Sequence, residues 1–329
     1  MTDLLTQLRQ RISPEVVPDE PLARHTTYRI GGPADYFFAA PTGELAATAV
    51  RAAAELNLPY YILGGGSNVL VSDQGFRGLV IKMANRGLEI EGSQVMVEAG
   101  IPVAQVALRT TEAGLTGFEW AIGLPGTFGG AVRGNAGCFG GSTGDSIRSV
   151  RCLRDGQAVE LDRDGCGFGY RQSVFKSEPG WIILSAVLSL KRADDPAAGH
   201  ERLKEILDAK RQSQPIDRST AGCIFRNWRP ESSEEIDELR HWLDLGSDET
   251  VPVTETGTVP VGWLLDRAQM KGTAVGHVRV SERHANFFEN DGQATAEEVI
   301  ELIALVKSRV RGMTQGRVNL LEEIEYVGF

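Results

Sequence analysis

An α+β fold with two N-terminal lobes and one C-terminal lobe is the class this sequence predicts. Three observations predict it. Strand-like pieces surround a single helical stretch in residues 22–87, and a mostly stranded pattern follows over 88–192. A polar, unpatterned segment, KRADDPAAGH (191–200), then separates these lobes from a region, 201–329, that closes with a long amphipathic helix and a strand. Finally, glycine concentrates in two segments, LGGGSNVL (63–70) and GFEWAIGLPGTFGGAVRGNAGCFG (117–140), where no helix or strand is stable on its own account.

The elements follow in order. Residues 1–21 read as a short helix, with Leu4, Leu5, Leu8 and Ile12 at helical spacing, and a Pro-containing linker. Strands are predicted at 36–39, 60–63, 69–71 beyond the glycine loop, and 79–81, and a helix at 43–56, capped by Pro41-Thr42 and carrying Ala46, Ala47, Val50 and Ala54 on one face. In the second lobe strands are predicted at 95–98, 150–153 and 181–190, interrupted by a helix at 103–113. The third region opens with a helix at 201–212, ends in one at 295–313 and closes with an alternating strand at 318–327. No internal repeat or low-complexity tract is present.

Composition narrows the function. With 329 residues, 42% hydrophobic and 24% charged, the chain has enough apolar content for two or three packed domains. A net charge of −10 argues against nucleic acid as the partner, yet allows a phosphorylated small molecule held by a few local cations. No apolar run approaches the ~20 residues that span a bilayer. The N-terminus lacks the pattern of a signal peptide. The four cysteines, Cys138, Cys152, Cys166 and Cys223, show no CxxC spacing, so reduced thiols in a cytoplasmic protein without a metal are expected.

Glycine at the density of 63–70 and 117–140 suits backbone lying bare against a large ligand. Neither segment has the helix-opening GxGxxG pattern, and no Lys-Ser/Thr follows the first, so the two commonest phosphate-binding loops are excluded. A flavin or other nucleotide held by a less common architecture remains. Three further positions draw notice. Arg171 stands between aromatic residues in GYRQSVF, Cys223 follows a glycine in AGCIFRN, and Glu323 lies in the acidic end LEEIE. Taken singly, these read as a surface arginine, a buried structural thiol and a solvated carboxylate.

Together they do more. TYRIGGPA (27–34), LGGGSNVL, GFEWAIGLPGTFGGAVRGNAG, FGYRQSVF, QPIDRSTAGCIFRN, VGWLLDRAQMKG and VSERHANFF occur in that order. The stretch from about 26 to 328 that holds them resembles the UDP-N-acetylenolpyruvoylglucosamine reductase family, flavoenzymes of peptidoglycan precursor synthesis. The resemblance implies a two-lobed FAD-binding domain of the vanillyl-alcohol-oxidase (PCMH) type over 22–87 and 88–192. It implies a smaller α+β substrate-binding domain over 201–329. It also implies that NADPH reduces FAD, and that hydride then passes to the methylene of UDP-N-acetylglucosamine enolpyruvate to give UDP-N-acetylmuramate.

By the same resemblance Arg171 and Glu323 flank the substrate carboxylate, and Cys223 donates the proton. Many members carry serine at that last position, and a thiol is the stronger acid. Glu322 is the nearest rival to Glu323, one residue away and therefore on the opposite strand face. FAD would lie on Gly64, Gly65, Gly66, Ser67 and Asn68 and on Ile122, Gly123, Pro125, Gly126, Thr127 and Gly130, with Arg29 and Gly31 at the entrance. Tyr170, Arg211, Asn227 and Lys271 are carried over as substrate-binding residues. The partner is a small molecule, with no nucleic acid or membrane, and the chain is expected to be a monomer.

One departure is an insertion near 229–260 containing ESSEEIDELRHWLDL at helical spacing, read as a surface addition, with a cover over the substrate mouth or a contact with another copy as the alternatives. Two other functions stay open. One is an oxidase of the same flavin fold that tethers its cofactor through Cys138. The other is a binding module without turnover.

Overall fold

The computed structural model describes residues 3–246 and 248–329, so residues 1–2 of the expected N-terminal region and residue 247 of the insertion lie outside it. The chain divides into two compact units. The first comprises 1–20, 34–66 and 76–210, and the second 21–33, 67–75 and 211–329.

Two larger sheets build most of the first unit. In one, Pro33–Ala40 and Tyr60–Leu63 each pair in parallel with Phe76–Met83, and Val17–Pro21 forms an edge. That edge occupies the stretch expected to be linker, and an edge position is where a strand tolerates proline. The other sheet is antiparallel and five-stranded, in the order Gln157–Asp162, Ile147–Arg154, Trp181–Ser189, Gln94–Glu98, Leu88–Glu91. Helix Gly43–Glu55 starts at Thr42, whose hydroxyl accepts the Leu45 N–H, and its alanine face is buried. Helix Val103–Glu112 matches the expected span to within a residue. A continuous apolar core runs through Phe38, Ile81, Val95, Val97, Phe118, Phe128, Val150 and Leu188.

The separator expected at 191–200 is mostly structured. Lys191–Arg192 pairs with Leu115–Thr116, and the following helix spans Pro196–Ser213. Leu203, Ile206 and Lys210 form that helix's buried face, so its contacts through Lys210 place it in the first unit and not at the head of the third region.

In the second unit, helix Ala296–Met313 packs Val299, Leu302, Ile303, Val306 and Val310 into the core. A capping box of Thr295 and Glu298 starts it, and the Asp73 carboxylate accepts the N–H groups of Ala296 and Glu297. A three-stranded antiparallel sheet joins Ala274–Val275, Val278–Val280 and Phe288–Asn290. The final strand is shorter than its alternation predicts, Glu325–Val327, and pairs in parallel with Val69–Val71. Most of the stretch expected to be an insertion, 229–260, is exposed or half-buried, yet it is anchored in the unit. Its base is closed by reciprocal Trp228–Val259 backbone hydrogen bonds of 3.0 and 2.7 Å, and Leu239, Val251 and Val259 are buried in the unit's core.

Tyr28 is fully buried in the second unit and its hydroxyl has no hydrogen-bond partner. Burial pushes the phenol far above its ordinary range, so it stays neutral. A buried, unpaired hydroxyl is destabilising. Tyr28→Phe is therefore expected to raise stability by about 1 kcal/mol in urea denaturation. A fall of that size would mean the hydroxyl is bonded in solution.

Candidate active site

In the first unit the two glycine segments meet backbone to backbone. A Cβ on Gly65 would stand 2.5 Å from Gly126 Cα, and one on Gly64 would stand 2.6 Å from Thr127 Oγ1. Thr127 Oγ1 is itself buried without a hydrogen-bond partner, although it sits at the N-cap of helix Phe128–Arg133. Bare peptide on both sides and an unsatisfied hydroxyl between them form a cradle that fits a pyrophosphate-bearing cofactor. Gly130 borders it, where a Cβ would meet only Thr127 Oγ1 at 3.7 Å. Ile122 and Gly123 end the 3₁₀ turn Glu119–Gly123, Pro125 follows it, and Gly126 takes φ 95°.

Lys210 holds this loop from behind. It is 4% exposed, its Nζ donates to the Gly123 carbonyl at 2.8 Å, and its stem lies where a Gly123 side chain would be. Sequence reasoning passed it over for its neighbour Arg211, which is exposed and whose carbonyl accepts from Arg283. The 203, 206, 210 spacing on an apolar helix face was the available signal.

Arg171 also belongs to the first unit. It sits at φ 56°, donates to the carbonyls of Gly137 at 2.8 Å and Asn135 at 3.5 Å, and stands 5.7 Å from the half-exposed Tyr170 ring. Its turn is fixed by Asn135, whose Nδ2 donates to Gly169 O at 2.8 Å, and by the buried Ser173 hydroxyl, which donates to Arg133 O at 2.6 Å. Neither residue was singled out from sequence. Both sit inside the quoted motifs, and what they support is backbone more than 30 residues away.

In the second unit, the second half of the first glycine loop lies among the other candidates. Asn68 Nδ2 donates to the Glu323 carbonyl at 3.0 Å and its own carbonyl accepts the Glu325 N–H. Ser67 O lies 3.9 Å from where a Gly222 Cβ would stand, beside Cys223. The segments 223–226 and 321–324 run antiparallel, with Glu323 N donating to Ile224 O at 2.8 Å and Arg226 N donating to Leu321 O at 2.9 Å. Cys223 and Glu323 therefore come from adjacent extended segments. Asn286 locks the first of these, accepting from Phe225 N and donating to Phe225 O as a strand neighbour would.

The two acids of this segment have different partners. Glu323 Oε2 lies 2.8 Å from Arg226 Nε, with the carboxylate side chain 12% exposed. Neither of these atoms completes an aligned hydrogen bond, so the contact is an ion pair by distance. Glu322 turns to Lys307 of the long helix at 2.7 Å.

The remaining candidates are dispersed within the second unit. Asn227 Oδ1 accepts the Val261 N–H at the start of helix Val261–Arg267, and Lys271 pairs with Asp266 at 3.0 Å. Arg29 is exposed at φ 57°. Gly31 packs so closely on Val71 that a Cβ would stand 2.6 Å from its Cβ, and its φ of 135° also favours glycine, so packing and backbone both call for glycine there. Among the described residues no group of three or more His, Cys, Asp or Glu is placed to hold a metal ion, and no helix is long and apolar enough to cross a membrane.

Comparisons with known proteins agree across the length of the chain. A family model described as UDP-N-acetylenolpyruvoylglucosamine reductase, C-terminal domain, matches residues 214–327, and one described as FAD binding domain matches 34–162. The UDP-N-acetylenolpyruvoylglucosamine reductase of Rubrobacter xylanophilus is 36% identical, over 97% of this chain and 97% of its own. The Bacillus velezensis protein of the same name is 34% identical, over 100% and 99%. The crystal structure of UDP-N-acetylenolpyruvylglucosamine reductase from Thermus caldophilus superposes with a TM-score of 0.74 at 30% identity, covering 95% of this chain and 98% of that one. A flavin-type cradle in one unit, a C-terminal domain matched along nearly its whole length and end-to-end identity above 30% together make this chain a member of the UDP-N-acetylenolpyruvoylglucosamine reductase family.

Proposed function

We propose that this chain reduces UDP-N-acetylglucosamine enolpyruvate to UDP-N-acetylmuramate with NADPH as reductant. The observation that carries the reading is the hydrogen bond from Asn68, in a glycine loop of the cradle type, to Glu323, which neighbours the Cys223 segment. FAD would be held on Gly64–Asn68 and Ile122–Gly130, and when bound would supply the two-electron carriage from NADPH to the enolpyruvyl methylene.

Once the methylene accepts hydride, negative charge develops on the adjacent carbon and its carboxylate. Arg171 meets that charge with a guanidinium already anchored on two backbone carbonyls, so little reorganisation accompanies the reaction. Cys223 delivers the proton to the carbon from its thiol. Glu323 completes the site beside it. Arg211, Asn227 and Lys271, with Tyr170, are assigned to the UDP-sugar, Lys271 opposing phosphate charge in a chain of net charge −10. Arg29 and Gly31 line the cofactor entrance in this reading, which also takes the enzyme as a cytoplasmic monomer.

A tethered-flavin oxidase is the second reading, and Cys138 speaks against it. Its thiol donates to Trp120 O at 3.3 Å, and burial pushes it up from the ordinary thiol range despite Lys210 and Arg171 nearby. A neutral, hydrogen-bonded thiol is a poor nucleophile.

The test is anaerobic. NADPH should bleach the flavin absorbance of the purified protein, and the enolpyruvyl sugar nucleotide should restore it with formation of the lactyl ether. Bleaching without return on adding that substrate would overturn the reading.

A further inference from the structure

Arg226 is a charged residue in contact with Glu323 that neither the chemistry above nor the substrate assignment uses. Its Nε lies 2.8 Å from Glu323 Oε2, both atoms are shielded from solvent, and the rest of the guanidinium side chain is one-third exposed. The two residues reach each other because their segments are hydrogen-bonded in antiparallel register, with Glu323 N on Ile224 O and Arg226 N on Leu321 O. A glutamate side chain has three rotatable bonds, and a strand fixes none beyond the first. An ion pair shielded from water holds the rest.

We infer that Arg226 is a positioning residue: it fixes the Glu323 carboxyl group in the geometry the substrate half of the reaction needs, without touching substrate itself. The inference rests on the function proposed above. Glu322 does not substitute as the partner, because Lys307 takes its carboxylate at 2.7 Å. Asn68 donates to the Glu323 backbone carbonyl, and Asn286, which binds Phe225 between Ile224 and Arg226, is neutral.

Two measurements on the flavin-loaded protein test this. In stopped flow, Arg226→Gln should slow reoxidation of the reduced flavin by the enolpyruvyl substrate by about 10- to 100-fold. Reduction by NADPH should change less than twofold and substrate affinity less than threefold. Arg226→Lys, which keeps the charge and loses the planar fork, should recover most of the rate. Equal reoxidation rates in Arg226→Gln and wild type would overturn the inference, as would losses of equal size in both half-reactions.

Thermal unfolding of Arg226→Gln, Glu323→Gln and the double variant gives an answer independent of turnover. The double variant should lose clearly less in Tm than the sum of the single losses, and a strictly additive loss would also overturn the inference. Should Arg226→Gln not fold, Arg226→Met, which keeps the stem and removes the charge, carries both measurements with the same expected and overturning results. If wild-type protein itself fails to reoxidise with this substrate, the proposed function falls, while the unfolding cycle still decides whether the pair is coupled.

Discussion

Replacing Cys223 by alanine is expected to leave bleaching of the flavin by NADPH within about twofold of wild type, while slowing its reoxidation by the enolpyruvyl substrate by roughly 10²- to 10⁴-fold. The range is what a positioned proton donor contributes to a transition state. The split between half-reactions follows from the chemistry, since no proton to carbon is needed until the substrate has taken hydride. The fold supports the selectivity. Gly222 at φ 79° turns the chain into Cys223, and Asn286 clamps the following residues through two hydrogen bonds to Phe225, so truncating the thiol leaves its backbone fixed. Cys223→Ser should keep much of the activity, because the hydroxyl can occupy the same place with one donor hydrogen. A stopped-flow comparison of the three proteins decides it. Equal reoxidation in wild type and Cys223→Ala would remove Cys223 from the mechanism.

What could be read from the sequence divides along the range of the forces involved. Local periodicity sufficed for Gly43–Glu55, Val103–Glu112 and Ala296–Met313, whose apolar faces recur at helical spacing and whose N-caps stand in the sequence for two of them. The strand Tyr60–Leu63 and its successor Val69–Val71 were also legible, as apolar runs on either side of glycines. Their membership in different units was not, because pairing with Phe76–Met83 in one case and Glu325–Val327 in the other is non-local.

The same reason hid Asn135 and Asn286, whose side chains bond backbone 34 and 61 residues away. Lys210 was missed for a different cause. A lysine on an apolar face reads as a break in the pattern, yet its charge is satisfied by the Gly123 carbonyl and its stem fills the space that glycine leaves. The choice of Glu323 over Glu322 rested on one residue of register. The structure separates the two by partner, Arg226 for one and Lys307 for the other.

Gly65→Ala is expected to weaken retention of FAD by about 10- to 100-fold. Its effect is steric and needs no change of conformation, since Gly65 is not among the residues with positive φ. The new Cβ would stand 2.5 Å from Gly126 Cα, 2.9 Å from Gly126 C and 3.0 Å from Thr127 N, all backbone atoms that no rotamer can move aside. Forcing such a contact costs about 1–3 kcal/mol, which at about 1.4 kcal/mol per tenfold is roughly one to two tenfold steps in affinity if the loops spread only to accept it. The opposite glycine of the cradle provides the contrast. A Cβ on Gly130 would touch only Thr127 Oγ1, at 3.7 Å, and alanine within a helix is favoured over glycine. Gly130→Ala should therefore leave the flavin-free protein as stable as wild type or more so. Any loss of FAD it causes then reports the cofactor's own atoms in the space that position faces. Equilibrium titration of both variants with FAD, alongside their unfolding midpoints without it, separates the two cases. If Gly65→Ala bound FAD as wild type does, the two glycine segments would not be the walls of the cofactor site, and the orphaned Thr127 hydroxyl would need another ligand.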